Sequence, residues 1–87
     1  MIDARIGCFA ISRAGHDKDK MYVILSLQGE YAMVSDGRLK TVNEPKKKSL
    51  KHLQLMHRTV NEELLNKLNS GLTVTNEEIK YEIKHYQ

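Results

Sequence analysis

From Arg5 to Arg13 the chain reads RIGCFAISR, an apolar run without helix caps that stops at Ala14-Gly15, where the backbone bends freely. A first strand is predicted there. A second is predicted over Met21 to Leu27, MYVILSL, a β-branched and aromatic run bounded by the charged loop HDKDK and by Gln28-Gly29-Glu30. Tyr31 to Ser35 and Arg38 to Val42 flank Asp36-Gly37, a dipeptide that favours the positive φ angles of a type I′ turn, and predict a hairpin of strands three and four. In NEPKKKS, Pro45 lacks a donor and three adjacent lysines repel one another, so an exposed loop is expected, its lysines replaceable with little effect on folding. Leu50 to Leu55, LKHLQL, alternates imperfectly and predicts a short fifth strand. Five short strands with brief connections predict a small barrel or roll, because an open sheet of that size leaves its edges unprotected.

The period then changes. Thr59 with Glu62 has the spacing of a capping box, and Val60, Leu64, Leu65 and Leu68 form one apolar stripe before Gly71 supplies a stop. Thr75 with Glu78 repeats the signature, and Ile79, Ile83 and Tyr86 share a face at spacings of four and three. Two helices are expected, and both stripes need a surface to cover. The predicted organisation is a barrel over residues 1–57 and a two-helix appendage over 58–87 packed on it, with the leucine stripe covering the domain rather than docking a partner.

Length bounds what such a chain can do. Eighty-seven residues hold one compact unit. With one Phe, four Tyr and no Trp, aliphatic packing must dominate a thin core, and a cavity enclosing a substrate would consume much of it. The single cysteine, Cys8, excludes an internal disulfide framework and a multi-cysteine zinc site. No signal segment or membrane span is read in the sequence, so a cytoplasmic location is expected.

Charge is more informative. Residues 1–58 carry eleven Lys and Arg against six Asp and Glu, +5, whereas 59–87 carry three against five, −2. A basic half in a small domain suits a polyanionic partner, since neutralising phosphates releases condensed counterions; the alternative for such an excess is a solvated face. The groups cluster. Arg13, Lys18 and Lys20 bracket the first turn, Arg38 and Lys40 leave the Asp-Gly dipeptide, and Lys46, Lys47, Lys48, Lys51 and His52 surround the third connection. Because loops of a small barrel alternate between its ends, the first and third connections are expected to meet at one rim. A positive stripe there would grip phosphates by charge and structured RNA by shape, the deep major groove of A-form RNA being closed to side chains.

Catalytic signals are poor. There is no phosphate loop, no nucleophile elbow and no HExxH, and the acidic residues sit at turns and helix starts, where capping explains them. Cys8, inside a strand, is expected to be a buried hydrophobe. His52 and His57 lack a third ligand, and Asp17 with Asp19 lacks the glycine and terminal glutamate of a calcium loop. No enzyme activity, metal or cofactor is expected.

GCFAISRAGHDKDKMYVIL, residues 7–25, resembles a KOW motif: a glycine, alternating apolar residues, a basic residue before a second glycine, a charged turn and an apolar strand. The continuation YAMVSDGRLKTVNEPKKKSLKHLQ is similar to the small bacterial KOW-domain RNA-binding proteins related to large-subunit ribosomal proteins of archaea and eukaryotes. The resemblance extends over nearly the whole chain. It implies a mainly β, five-stranded SH3-like barrel that binds RNA, above all ribosomal RNA, without catalysis, as a ribosome or translation accessory factor. One departure stands out: many KOW motifs carry a glycine just before the second strand, where this chain has Lys18-Asp19-Lys20. Arg13, Lys18, Lys20, Arg38, Lys40, Lys46, Lys47, Lys48, Lys51 and His52 are the expected RNA-contacting residues, on a monomer that also touches ribosomal proteins. The alternative is a protein-interaction module in which Tyr22, Tyr31 or the helical appendage docks on a ribosomal or transcription partner.

Overall fold

The computed structural model describes residues 4–86. Met1–Asp3 and Gln87, at the ends of the two expected segments, lie outside the described residues. Strands β1 (Cys8–Ser12), β2 (Met21–Gln28), β3 (Tyr31–Ser35), β4 (Lys46–Ser49) and β5 (Leu53–Thr59) precede helices α1 (Glu62–Ser70) and α2 (Asn76–Lys84). The strands form one antiparallel sheet in the order β4-β3-β2-β1-β5.

Sheet order and chain connectivity together dictate curvature. β4 and β5 stand at opposite ends of the order, yet a single 3₁₀ turn, Leu50–His52, joins them. Four strand-to-strand steps in a flat sheet span about 19 Å. The four Cα steps from Ser49 to Leu53 reach at most about 14 Å when extended, and about 8 Å in 3₁₀ geometry. The sheet must therefore roll up. Irregular register between Cys8 and Ala10 and between Ile24 and Ser26 supplies bends. The result is a small mainly β globule, consistent with an SH3-like barrel carrying two C-terminal helices.

Strand alternation divides the apolar residues between two cores. Cys8, Ala10, Tyr22, Ile24, Ala32, Val34 and Leu53 fill the inside of the roll. Phe9 and Val23, pointing the other way, pack with Val60, Leu64 and Ile79 beneath the helices. Burial on both faces explains why β1 and β2 read as nearly continuous apolar runs. Leu65, Leu68 and Ile83 complete the second core, and Tyr86 meets Phe9 edge-on with ring centroids 4.9 Å apart. Leu64, Leu65 and Leu68 of the leucine stripe thus pack with Phe9 and Val23 of the sheet.

Four local expectations are corrected. Residues 38–42 form no strand; Asp36-Gly37 opens a loop in which Asp36 Oδ1 accepts from the amides of Arg38 and Lys40, and Ser35 Oγ accepts from Gly37 N. With those donors taken locally, the edge of β3 pairs instead with Lys46–Ser49. The expected lysine loop is therefore β4, and Lys48, opposite the interior residue Ala32, is only 8% exposed. The fifth strand starts at Leu53 rather than Leu50, after the 3₁₀ turn, and runs to Thr59. Because Thr59 pairs with Cys8, the cap of α1 moves to Asn61, whose side chain accepts from Leu64 N at 2.8 Å. The capping box of α2, by contrast, forms between Thr75 and Glu78 as predicted.

Candidate nucleic-acid interface

The alternation of β4 sorts three consecutive lysines into different environments. Lys46 and Lys48 share the face of Val34 and Ala32, while Lys47 takes the outer face, its ammonium 4.6 Å from the centroid of the Tyr31 ring. Lys48 Nζ donates to Asp17 Oδ1 and to the Ala14 carbonyl, both at 3.0 Å. Lys46 Nζ lies 3.3 Å from Asp17 Oδ2. Asp17, 7% exposed, also accepts from Ser12 Oγ at 3.0 Å and from Tyr22 Oη at 2.7 Å. Burial by itself would raise the Asp17 carboxyl, but the donors from Tyr22, Lys48, Ser12 and Lys46 outweigh it and hold the group well below the usual carboxylate range. Burial, and then the hydrogen bond and negative charge of Asp17, push the Tyr22 phenol up. The network closes one end of the roll with its polar atoms satisfied. It also ties the β1–β2 connection to β4.

Around this anchor, and including its Lys46, basic side chains gather at the surface. His16, Lys20, Leu39, Lys40 and Lys46 surround a cavity of about 220 Å³ with Asp17 and Tyr22 at its base. Lys20 also borders a neighbouring cleft of about 280 Å³, shared with Met21, Asp36, Arg38, Lys80, Ile83 and Lys84. Two depressions with more cations than carboxylates thus adjoin at one lysine. Lys18 and Lys20 flank Asp19, whose φ of 74° takes the left-handed backbone that non-glycine residues rarely adopt.

The expected site residues therefore separate into groups. Lys20, Arg38, Lys40 and Lys46 are brought together, and Lys18 is exposed beside them in sequence. Arg13 and His52 are neighbours through an Arg13 N–H to His52 carbonyl bond of 2.8 Å, with Lys51 exposed on the same 3₁₀ turn. Lys47 is exposed on Tyr31, and Lys48 is committed to Asp17 and Ala14. Lys80 and Lys84 escaped sequence reading because they belong to the net acidic third of the chain. The available signal was their spacing of four, one row from Ile79 and Ile83 on the same helix.

Other features lie elsewhere. A depression of about 520 Å³ runs between α1 and α2 and is lined by Asn61, Glu63, Leu64, Glu77, Glu78, Tyr81 and Glu82. Glu82 accepts from the Asn61 backbone and side-chain amides there at 2.8 and 2.9 Å, and Lys67 pairs with Glu78 at 2.8 Å. Cys8 is buried, and its thiol donates to the Met56 carbonyl at 2.9 Å along the irregular stretch of β1–β5 pairing. Among the described residues no three His, Cys, Asp or Glu side chains converge as metal ligands, and no helix is long and apolar enough to cross a membrane. Comparison with family models and with characterised proteins returned no match.

Proposed function

We propose that this chain is a non-catalytic, KOW-type RNA-binding protein that grips structured RNA by its phosphates, and that ribosomal RNA is its target in the cytoplasm, in a ribosome or translation accessory role. The observation that carries this reading is the pair of adjoining basic depressions that share Lys20, lined by Lys40, Lys46 and His16 on one side and by Arg38, Lys80 and Lys84 on the other. Cations held on a rigid sheet and its connecting loops suit the fixed phosphate spacing of a folded duplex. Tyr31 is the one exposed aromatic of the sheet, and Lys47 already covers its ring, which leaves no row of rings for stacking single-stranded bases. Phosphate contact is therefore the main source of affinity, and no cofactor enters.

The deciding experiment is titration of the full chain against a labelled RNA duplex at several salt concentrations. The logarithm of the binding constant should fall linearly with the logarithm of salt, with a slope worth several phosphates. Salt-independent binding, or no RNA affinity at low salt, refutes the proposal. A second reading, docking of a basic protein segment, is favoured by the acidic depression between α1 and α2, where Tyr81 is 59% exposed. Binding of a lysine-rich peptide that Glu63→Gln with Glu77→Gln abolishes, with RNA inert, would select it.

A further inference from the structure

The helix α2 closes directly on the loop after β3. A Cβ at Gly37, which sits at φ 75°, would stand 2.5 Å from the Asn76 carbonyl oxygen and 2.9 Å from Lys80 Cγ. Asn76 Oδ1 accepts from Val42 N at 2.8 Å. Asn76, Lys80 and Lys84 follow one another at intervals of four, so a single row of the helix faces the loop that carries Arg38. The next row, Ile79 and Ile83, is packed into the core and fixes the rotation of the helix.

That docking creates the cleft in which Lys20, Arg38, Lys80 and Lys84 converge above Met21 and Ile83. Four cations line it against one carboxylate, Asp36, whose Oδ1 is already engaged by the amides of Arg38 and Lys40. Lys80 has a neighbour in Glu77 at 3.1 Å, but Glu77 is largely exposed, and such surface pairs within a helix exchange readily for a stronger anion. Among the described residues no carboxylate lies within ion-pair distance of Lys20, Arg38 or Lys84.

We propose that α2 forms one wall of a phosphate cleft, with Lys80 and Lys84 binding backbone phosphates of the same RNA strand that Lys20 and Arg38 engage. The proposal rests on the RNA-binding reading and assigns part of that interface to the acidic third of the chain. Through Lys20 the cleft continues into the depression lined by Lys40 and Lys46, which gives the strand a path from α2 to β4. The helical segment is then a half of the binding surface and not only a cover for the sheet.

The test compares salt titrations of a labelled RNA duplex with the wild-type chain, with Lys80→Gln/Lys84→Gln, and with Asn66→Asp/Asn69→Asp. The last pair lowers net charge equally but lies on exposed positions of α1. Losing two phosphate contacts should reduce the salt slope by about 2 and weaken binding up to about 60-fold at 0.1 M salt. The α1 pair should barely change the slope. Lys80→Arg/Lys84→Arg should restore binding, which separates lost charge from lost folding. If the wild type binds with a steep salt slope and the α2 and α1 pairs behave alike, the α2 wall is wrong while RNA binding stands. If the wild type shows no RNA affinity at low salt, both fall.

Discussion

Lysines 46, 47 and 48 are adjacent in sequence, yet replacing each by Met should have very different effects. Lys48 is almost wholly buried, and its ammonium bonds Asp17 and the Ala14 carbonyl. Removing one partner of a buried ion pair costs about 3 to 5 kcal/mol, because the other charge is left in a poor environment. Here Tyr22, Ser12 and Lys46 still donate to Asp17, so the loss for Lys48→Met is reduced to roughly 2 to 4 kcal/mol. At about 4 to 8 °C per kcal/mol for a domain of this size, the melting temperature should fall by roughly 8 to 32 °C. Lys47→Met forfeits an exposed cation–π contact worth about 0.5 to 1 kcal/mol and should lower it by only a few degrees. The pH dependence supplies a second readout. The folded Asp17 carboxyl lies below its unfolded value of about 3.9, so its contribution is fully present above that pH and is lost as pH falls toward the depressed folded value. Asp17→Asn should therefore flatten the loss of stability below about pH 4. Thermal melts followed by circular dichroism between pH 3 and 7 measure both. Equal losses at positions 47 and 48, or an unchanged melt for Lys48→Met, would show that β4 does not alternate as described and that the buried pair is not formed.

Gly37→Ala should destabilise by about 2 to 4 kcal/mol in urea unfolding, combining a strained φ with a Cβ driven into the α2 backbone, and should also weaken RNA binding by displacing Lys80. Leu64→Ala empties a site 2% exposed in the core beneath the helices and should cost about 2 to 5 kcal/mol in the same assay; a change under 1 kcal/mol would mean that α1 is not docked on the sheet. Burial raises the Cys8 thiol, against smaller opposing effects of the Met56 backbone and the Arg5 charge, so its reaction with a disulfide reagent at pH 8 should be slow in the native protein and become fast in denaturant.

Periodicity and caps determined the parts of this fold whose signals are local. Met21–Leu27 and Tyr31–Ser35 are strands because β-branched and aromatic residues fill them between turn formers, and α2 begins where Thr75 and Glu78 cap each other reciprocally. Clustered positive charge was equally legible, since a count along the chain needs no coordinates. What lay beyond sequence was the choice of partners. Arg38–Val42 was the strand expected at the edge of β3; Asp36 and Ser35 instead accept from the amides of the loop, and the lysine run, expected as a loop, took the edge. A lysine inside a strand reads as solvated until a buried carboxylate stands opposite it, and Asp17 reaches Lys48 only across 31 residues of chain. The convergence of Lys80 and Lys84 with Lys20 and Arg38 is likewise a product of docking: it depends on Gly37 leaving room for α2 and on Ile79 and Ile83 setting its rotation, and neither constraint is visible to a charge count that assigns the helix to an acidic tail.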